Sequence, residues 1–145
     1  MANPLIPQGT LNRILGTASV TSIPALNVTP SFLGKEGLSL AFDGEATTFI
    51  TTMTGMVTSG EPYQGVTLTM HLLKTQGLAA QYKAQFENNT FLGDMTVTPD
   101  ALTLPSYPLT NCALANIAAL TINGTDAGYV VTIKGYYVVN NALWS

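Results

Sequence analysis

Alternation of apolar and polar residues is the strongest pattern in this chain, and it is most regular between residues 66 and 72. The apolar positions are Val66, Leu68, Met70 and Leu72, and the polar positions between them are Thr67, Thr69 and His71. Successive side chains of a β-strand point to opposite faces, so these two sets lie on two faces of one strand. The segment predicts a half-buried strand with a threonine-lined second face.

Other segments repeat the same period in shorter or less regular form. They span residues 13–21, 38–42, 94–98 and 129–139. Pro99 ends the third of these strands, because proline has no N–H for a sheet hydrogen bond. An Asp43–Gly44 pair follows the second and predicts a hairpin-type turn.

Residues 112–122 are rich in alanine and compatible with a helix, but their β-branched side chains favour a strand. The run 123–126, Asn-Gly-Thr-Asp, then supplies turn chemistry. Together with the strand at 129–139, these residues predict a long hairpin near the C-terminus.

One helix is predicted, over about residues 75–88. Thr75 is a candidate N-cap, and the Asn88–Asn89 pair is a candidate end. The apolar residues between them fall on one helical stripe. They are Leu78, Ala79, Tyr82 and Phe86.

The longest stretch without clear periodicity covers about residues 47–62 and is rich in threonine, methionine and glycine. A loop of this length in a small domain is usually functional or ordered by something outside the domain. The N-terminus, about residues 1–9, is bracketed by prolines and predicts an extended arm. With neither repeats nor a linker, residues 1–145 are expected to form one domain, a mainly β antiparallel sandwich or barrel with one flanking helix.

Composition narrows the function classes. Charged residues make up 9% of the chain, against about 25% in an average soluble domain, while 46% are apolar. This excludes a disordered chain, and no apolar run is long enough for a membrane-spanning helix. Five Lys and Arg against eight Asp and Glu also argue against a nucleic-acid reader. With one cysteine and no basic, apolar leader, we expect folding in a reducing cytoplasm and no membrane insertion by this chain.

Candidate chemistry is sparse. His71 is the only histidine and Cys112 the only cysteine, so neither a two-histidine metal site nor an internal disulfide can form within the chain. Asp43 and Glu45 form a carboxylate pair that we expect to face solvent in a turn. The segment 34–37, Gly-Lys-Glu-Gly, lacks both the ending of a phosphate loop and the helix that must follow it. We therefore expect no catalytic residue, no metal ligand, no cofactor and no enzymatic activity.

Features that favour association with other copies are more abundant. A charge-poor surface gives little protection against association with other copies. An antiparallel sheet also leaves edge strands, which are a liability unless a partner strand occupies them. A subunit that pairs its edges with neighbours can use them to close a ring.

Five further segments stand out along the chain: Asn3-Pro4-Leu5-Ile6-Pro7-Gln8-Gly9-Thr10-Leu11-Asn12-Arg13, Gly34-Lys35-Glu36-Gly37, Glu61-Pro62-Tyr63, His71-Leu72-Leu73-Lys74-Thr75-Gln76 and Asn123-Gly124-Thr125-Asp126-Ala127-Gly128. In order and spacing they resemble tail tube proteins of contractile-tailed bacteriophages, within the Hcp-like superfamily. The resemblance extends from residue 3 to residue 128 and carries no catalytic signature.

This resemblance implies a β-barrel-like sandwich of which six copies close into a ring, with rings stacked into a hollow tube. The tube would conduct double-stranded DNA from capsid to host without binding it specifically. Implied partners are further copies of the chain, the tail sheath protein, the tape-measure protein, and the baseplate and tail terminator proteins. The implied location is the virion tail, after assembly in the host cytoplasm.

By the same resemblance, the N-terminal arm and the 47–62 loop reach neighbouring rings or subunits. The candidate contact residues are Asn3, Pro4, Leu5, Ile6, Pro7, Met53, Met56, Val57 and Tyr63. The candidate channel-facing residues are Thr67, Thr69 and His71. A net charge of −3 is compatible with a channel that does not hold DNA by phosphate contacts.

Two other functions are open at this point. One is the ring or tube protein of a contractile secretion or bacteriocin particle, which belongs to the same superfamily. The other is a carbohydrate-binding β-sandwich, for which Trp144, Tyr136 and Tyr137 are the candidate stacking residues. Because Tyr136 and Tyr137 are adjacent in a strand, they are expected on opposite faces and cannot share one platform.

Overall fold

A computed structural model describes residues 14–75, 77–100, 104–117, 125 and 128–143. Within these residues the chain forms eight strands and one α-helix. The strands are β1 Gly16–Val20, β2 Leu33–Asp43, β3 Thr47–Thr51, β4 Met56–Gly60, β5 Tyr63–Leu73, β6 Phe91–Pro99, β7 Tyr107–Ile117 and β8 Gly128–Val138. The helix, α1, is Leu78–Asn88, and short 3₁₀ turns occupy Pro24–Leu26 and Pro30–Phe32.

Six strands form one antiparallel sheet in the order β1-β6-β7-β8-β5-β2. The sheet curls into a half-barrel, which confirms the predicted mainly β architecture with one helix. Of the strands in the described residues, β3 and β4 pair only with each other, in a separate two-stranded sheet. The two edge strands of the large sheet, β1 and β2, approach one another at Gly16 and Leu38.

The core lies on one face of this sheet. The four apolar residues predicted to share a face of β5 are all at most 1% exposed, which confirms that prediction. Cross-strand neighbours on β8 continue the apolar layer, with Val131 opposite Met70 and Ile133 opposite Leu68. Helix α1 covers the layer through Leu78 and Tyr82.

Helix α1 differs from its prediction at the start. It begins at Leu78 after Gly77, and no side chain caps it, so the predicted cap at Thr75 is wrong. Thr75 instead lies in the turn that leaves β5. The helix ends at Asn88 as expected. Phe86 is 40% exposed, because only the first two turns of the short helix reach the core.

The segment predicted as a loop over 47–62 is a β-hairpin instead. β3 and β4 pair from Thr47 opposite Gly60 to Thr51 opposite Met56. Its many threonines favour extended backbone. The alternation is hard to detect because apolar and threonine side chains occur on both faces.

The Asp43–Gly44 turn also differs from expectation. Gly44 adopts a left-handed φ of 74°, as a turn glycine does. β2 does not pair with the strand that follows this turn. It pairs with β5, from Asp43 opposite Gly65 to Leu33 opposite Leu72. The β3–β4 hairpin is therefore an insertion between two neighbouring strands of the sheet.

Several sequence predictions lie outside the described residues. These are the N-terminal arm with Asn3, Pro4, Leu5, Ile6 and Pro7, the strand end at 118–122, most of the turn at 123–126, and Trp144.

Candidate assembly surfaces

The β3–β4 hairpin exposes large apolar side chains on both of its faces. Paired residues share a face, so Ile50 and Val57 lie on one side, and Phe49 and Met56 lie on the other. Their exposed fractions are 52% and 53% on the first face and 56% and 60% on the second. A soluble monomer seldom exposes such a ribbon, and exposed apolar patches usually mark interaction sites.

The tip of the hairpin is a tight turn. The Thr52 N–H donates to the Gly55 carbonyl at 2.8 Å. Met53 projects from this turn and is fully exposed. Of the predicted contact residues, Met53, Met56 and Val57 are thus brought together on one projecting element.

Tyr63, the remaining described contact residue, is the first residue of β5 and lies at the hairpin base. It is 59% exposed, and its ring centroid lies 5.3 Å from that of Tyr136. Val138, its cross-strand partner, is also exposed. These three residues extend the apolar surface of the hairpin onto the rim of the sheet.

The second surface is the sheet face opposite the core, which carries Thr67, Thr69 and His71. A transverse row of uncharged polar residues crosses four strands at its centre. The row runs Ser39, Thr69, Thr132, Asn116 across β2, β5, β8 and β7. The structure therefore joins one predicted residue, Thr69, to partners from three other strands.

Charge on this face is low and mostly balanced. The row next to the central one runs Ala41, Thr67, Lys134, Ala113. The Thr67 hydroxyl donates to the Asp43 carboxylate at 2.7 Å, so Thr67 is engaged within the subunit. Lys134 is an exposed cation one strand away. The face offers DNA phosphates few positive charges.

An apolar cleft of about 290 Å³ lies where the two edges of the curled sheet approach. Leu15, Leu33, Leu38, Leu40 and Leu104 contribute to its lining. Among the described lining residues Glu36 is the one carboxylate, and none is a histidine or cysteine. The cleft therefore holds no grouping of side chains that could act as a nucleophile and base together.

The candidate reactive groups lie apart from one another. Cys112 is buried, and its burial raises the pKa of the thiol to about 11, so the reactive thiolate is suppressed. Glu45 is exposed, and the Asp43 carboxylate accepts a hydrogen bond from the Thr67 hydroxyl. Residues 34–37 interrupt the β2 pairing, and β-structure rather than a helix follows them. Among the described residues, no three His, Cys, Asp or Glu side chains gather as metal ligands.

The two tyrosines of the carbohydrate-binding alternative lie on opposite faces of β8. Tyr136 packs with Tyr63 on the polar face, while Tyr137 packs with Phe42 and Tyr107 on the core side. The described aromatic residues therefore do not form one flat platform for a sugar.

Sequence reasoning missed the partners of Thr69 on other strands and the residue that holds the hairpin base. Predicting the cross-strand partners of Thr69 requires the register of β5 against β8, and the alternation within one strand does not define that register. Asn140 holds the base, and its only local signal is the Asn140–Asn141 pair, which is typical of a turn.

Searches of protein-family models and of curated proteins gave no match to this chain. Within the described part of the chain, α1 is too short and too polar to cross a bilayer.

Proposed function

We propose that this chain is the structural subunit of a phage tail tube, in which six copies form a ring and stacked rings form a conduit for DNA. The observation that carries the proposal is the β3–β4 hairpin, whose two apolar faces are both uncovered in the single subunit. One further copy would cover one face, and a second would cover the other. Such a head-to-tail contact generates an open stack when its rotation does not close into a ring.

The polar face of the sheet supports the channel part of the proposal. Its central row is uncharged, and its neighbouring row contains a single lysine. Each Lys or Arg contact with a phosphate adds affinity that would slow the passage of DNA. A wall of short polar side chains contacts water and offers DNA little to bind.

The edges of the sheet support ring closure. β2 has β5 on one side, and among the described residues no strand pairs with its other side. Its regularly paired part, Leu38–Asp43, leaves backbone donors and acceptors on the outer edge that a neighbouring copy could pair with. In this proposal Met53, Met56, Val57 and Tyr63 contact neighbouring copies, and Thr67, Thr69 and His71 face the channel.

Electron microscopy of the purified protein tests the proposal. We expect rings with a central channel, and tubes of stacked rings at higher protein concentration. Analytical ultracentrifugation over a range of salt concentrations gives the subunit number. A chain that stays monomeric at high concentration under all these conditions would falsify the proposal.

A further inference from the structure

Asn140 holds both ends of the β3–β4 hairpin at its base. Its side-chain Nδ2 donates to the carbonyl oxygen of Ala46 at 3.1 Å and to that of Glu61 at 2.7 Å. Ala46 directly precedes β3, and Glu61 directly follows β4. An amide NH₂ has two donors, so one side chain satisfies both acceptors at once.

The backbone around Asn140 is shaped for this contact. Asn140 has a left-handed φ of 55°, a conformation that asparagine tolerates better than most residues. The preceding N–H, of Val139, donates to the Pro62 carbonyl at 3.2 Å. The Leu143 N–H then donates to the Asn140 carbonyl at 2.9 Å, which closes a turn over the base.

Gly60, the last residue of β4, lies against this turn. A methyl group there would approach Leu143 Cδ1 to 2.8 Å and Asn140 Nδ2 to 3.3 Å. The turn and the hairpin base are thus in direct contact as well as hydrogen bonded. We call residues 139–143 the clasp.

The clasp matters because few of the described hydrogen bonds tie the hairpin base to the large sheet; one other is the bond from Gln64 Nε2 in β5 to the Gly44 carbonyl at 3.1 Å. Its own strands are exposed along nearly their whole length. Contacts at the base include a Glu61–Ala46 backbone bond at 2.9 Å, but this bond joins the hairpin's own two ends. The Asn140 bonds instead connect both ends to the end of β8, and therefore to the large sheet.

We infer that Asn140 is a positioning residue that fixes the direction in which the β3–β4 hairpin projects from the sheet. The inference rests on the proposed function only where it concerns assembly. A hairpin held in one direction can meet the same surface on every neighbouring copy. A hairpin that pivots must be ordered on binding, and the entropy lost in that ordering weakens the association.

The direction can be measured in single subunits. Spin labels are placed on the hairpin tip and on the helix, as Met53→Cys and Glu87→Cys in a Cys112→Ala background. Labelled protein is diluted into unlabelled chain, so that distances are read within one subunit. We expect a narrow distance distribution with Asn140 present, and a broad or displaced one in Asn140→Gly and Asn140→Asp.

The two variants distinguish the hydrogen bonds of the Asn140 amide from the effect of its left-handed backbone conformation. Glycine accepts the positive φ and removes the side chain, while aspartate keeps the shape but turns a carboxylate toward two carbonyl oxygens. Losing two hydrogen bonds is expected to raise the population of released hairpins by roughly 10- to 100-fold. Asn111→Gly is the matched control, because Asn111 has the same φ of 55° but lies in β7.

The tube yield of the same variants, counted by electron microscopy, measures the consequence for assembly. We expect Asn140→Gly and Asn140→Asp to form few tubes and Asn111→Gly to form them normally. An unchanged distance distribution in both Asn140 variants overturns the inference, even if assembly fails. If the unaltered chain forms no tubes, the proposed function fails, while the distance measurement still decides the role of Asn140.

Discussion

The Tyr82 hydroxyl shows how a single polar atom secures the helix to the rest of the fold. Tyr82 is fully buried, and its hydroxyl donates to the Leu26 carbonyl at 2.6 Å. Burial raises the pKa of this phenol well above its ordinary value, so it stays a neutral donor. The bond joins α1 to the 3₁₀ turn at Pro24–Leu26.

Tyr82→Phe should destabilise the fold by about 1–3 kcal/mol, because it leaves the Leu26 carbonyl buried without a donor. Urea unfolding of a non-assembling preparation measures the change. Tyr63→Phe is the control, since that ring is 59% exposed and its loss of a hydroxyl should change stability by less than about 0.5 kcal/mol. Equal unfolding midpoints for Tyr82→Phe and the unaltered chain would contradict this role.

At the scale of elements, β5 and the β3–β4 hairpin are opposite cases. The residues of β5 alternate between a fully buried face and a half-buried one, so its pattern predicts its structure. Both faces of the hairpin contain apolar residues and threonine, and both are exposed. With no regular alternation between a buried and an exposed face, its sequence predicts a loop, although the segment forms two paired strands.

Phe49→Ser and Ile50→Ser test the two faces of the hairpin separately, because these residues lie on opposite faces. Neither change removes a buried side chain, so each should alter the free energy of unfolding by only about 0.5 kcal/mol. If both faces contact other copies, each variant should reduce tube formation, as measured by sedimentation and electron microscopy. Thr58→Ser, opposite Phe49, is the control that keeps a hydroxyl. Normal assembly of either serine variant would show that its face stays uncovered in the tube.

At the scale of the whole molecule, charge is divided unevenly between surfaces. The described ion pair is Lys83 with Glu87, on the exposed side of α1. The polar sheet face instead has a central row of serine, threonine and asparagine. This uncharged row lies on the face where, in the proposed tube, charged side chains would slow the passage of DNA.

Thr69→Lys tests the channel at this scale, because each ring of six would gain six cations facing DNA. In a particle built with this variant, we expect assembled tails but slower DNA ejection, with the delay shrinking as salt rises. Gln81→Lys adds the same charge on the exposed surface of α1 and serves as the control. If the two variants eject DNA at the same rate, the Thr69 face does not line the channel.

The sequence alone determined the features that depend on local periodicity or on residue identity. The strand at 66–72, its buried face and the end of the helix at Asn88 follow from side-chain spacing and helix-stop residues. A single histidine and a single cysteine likewise limit the possible chemistry wherever the chain folds.

Only the tertiary structure decided which strands become neighbours and where the hairpin base is held. β2 pairs with β5 across the inserted hairpin, and Asn140 reaches Ala46 across 94 residues of sequence. Such contacts depend on register and on the curl of the whole sheet, which no local pattern encodes. The candidate assembly surfaces therefore consist of residues whose neighbours are defined only once the sheet has formed.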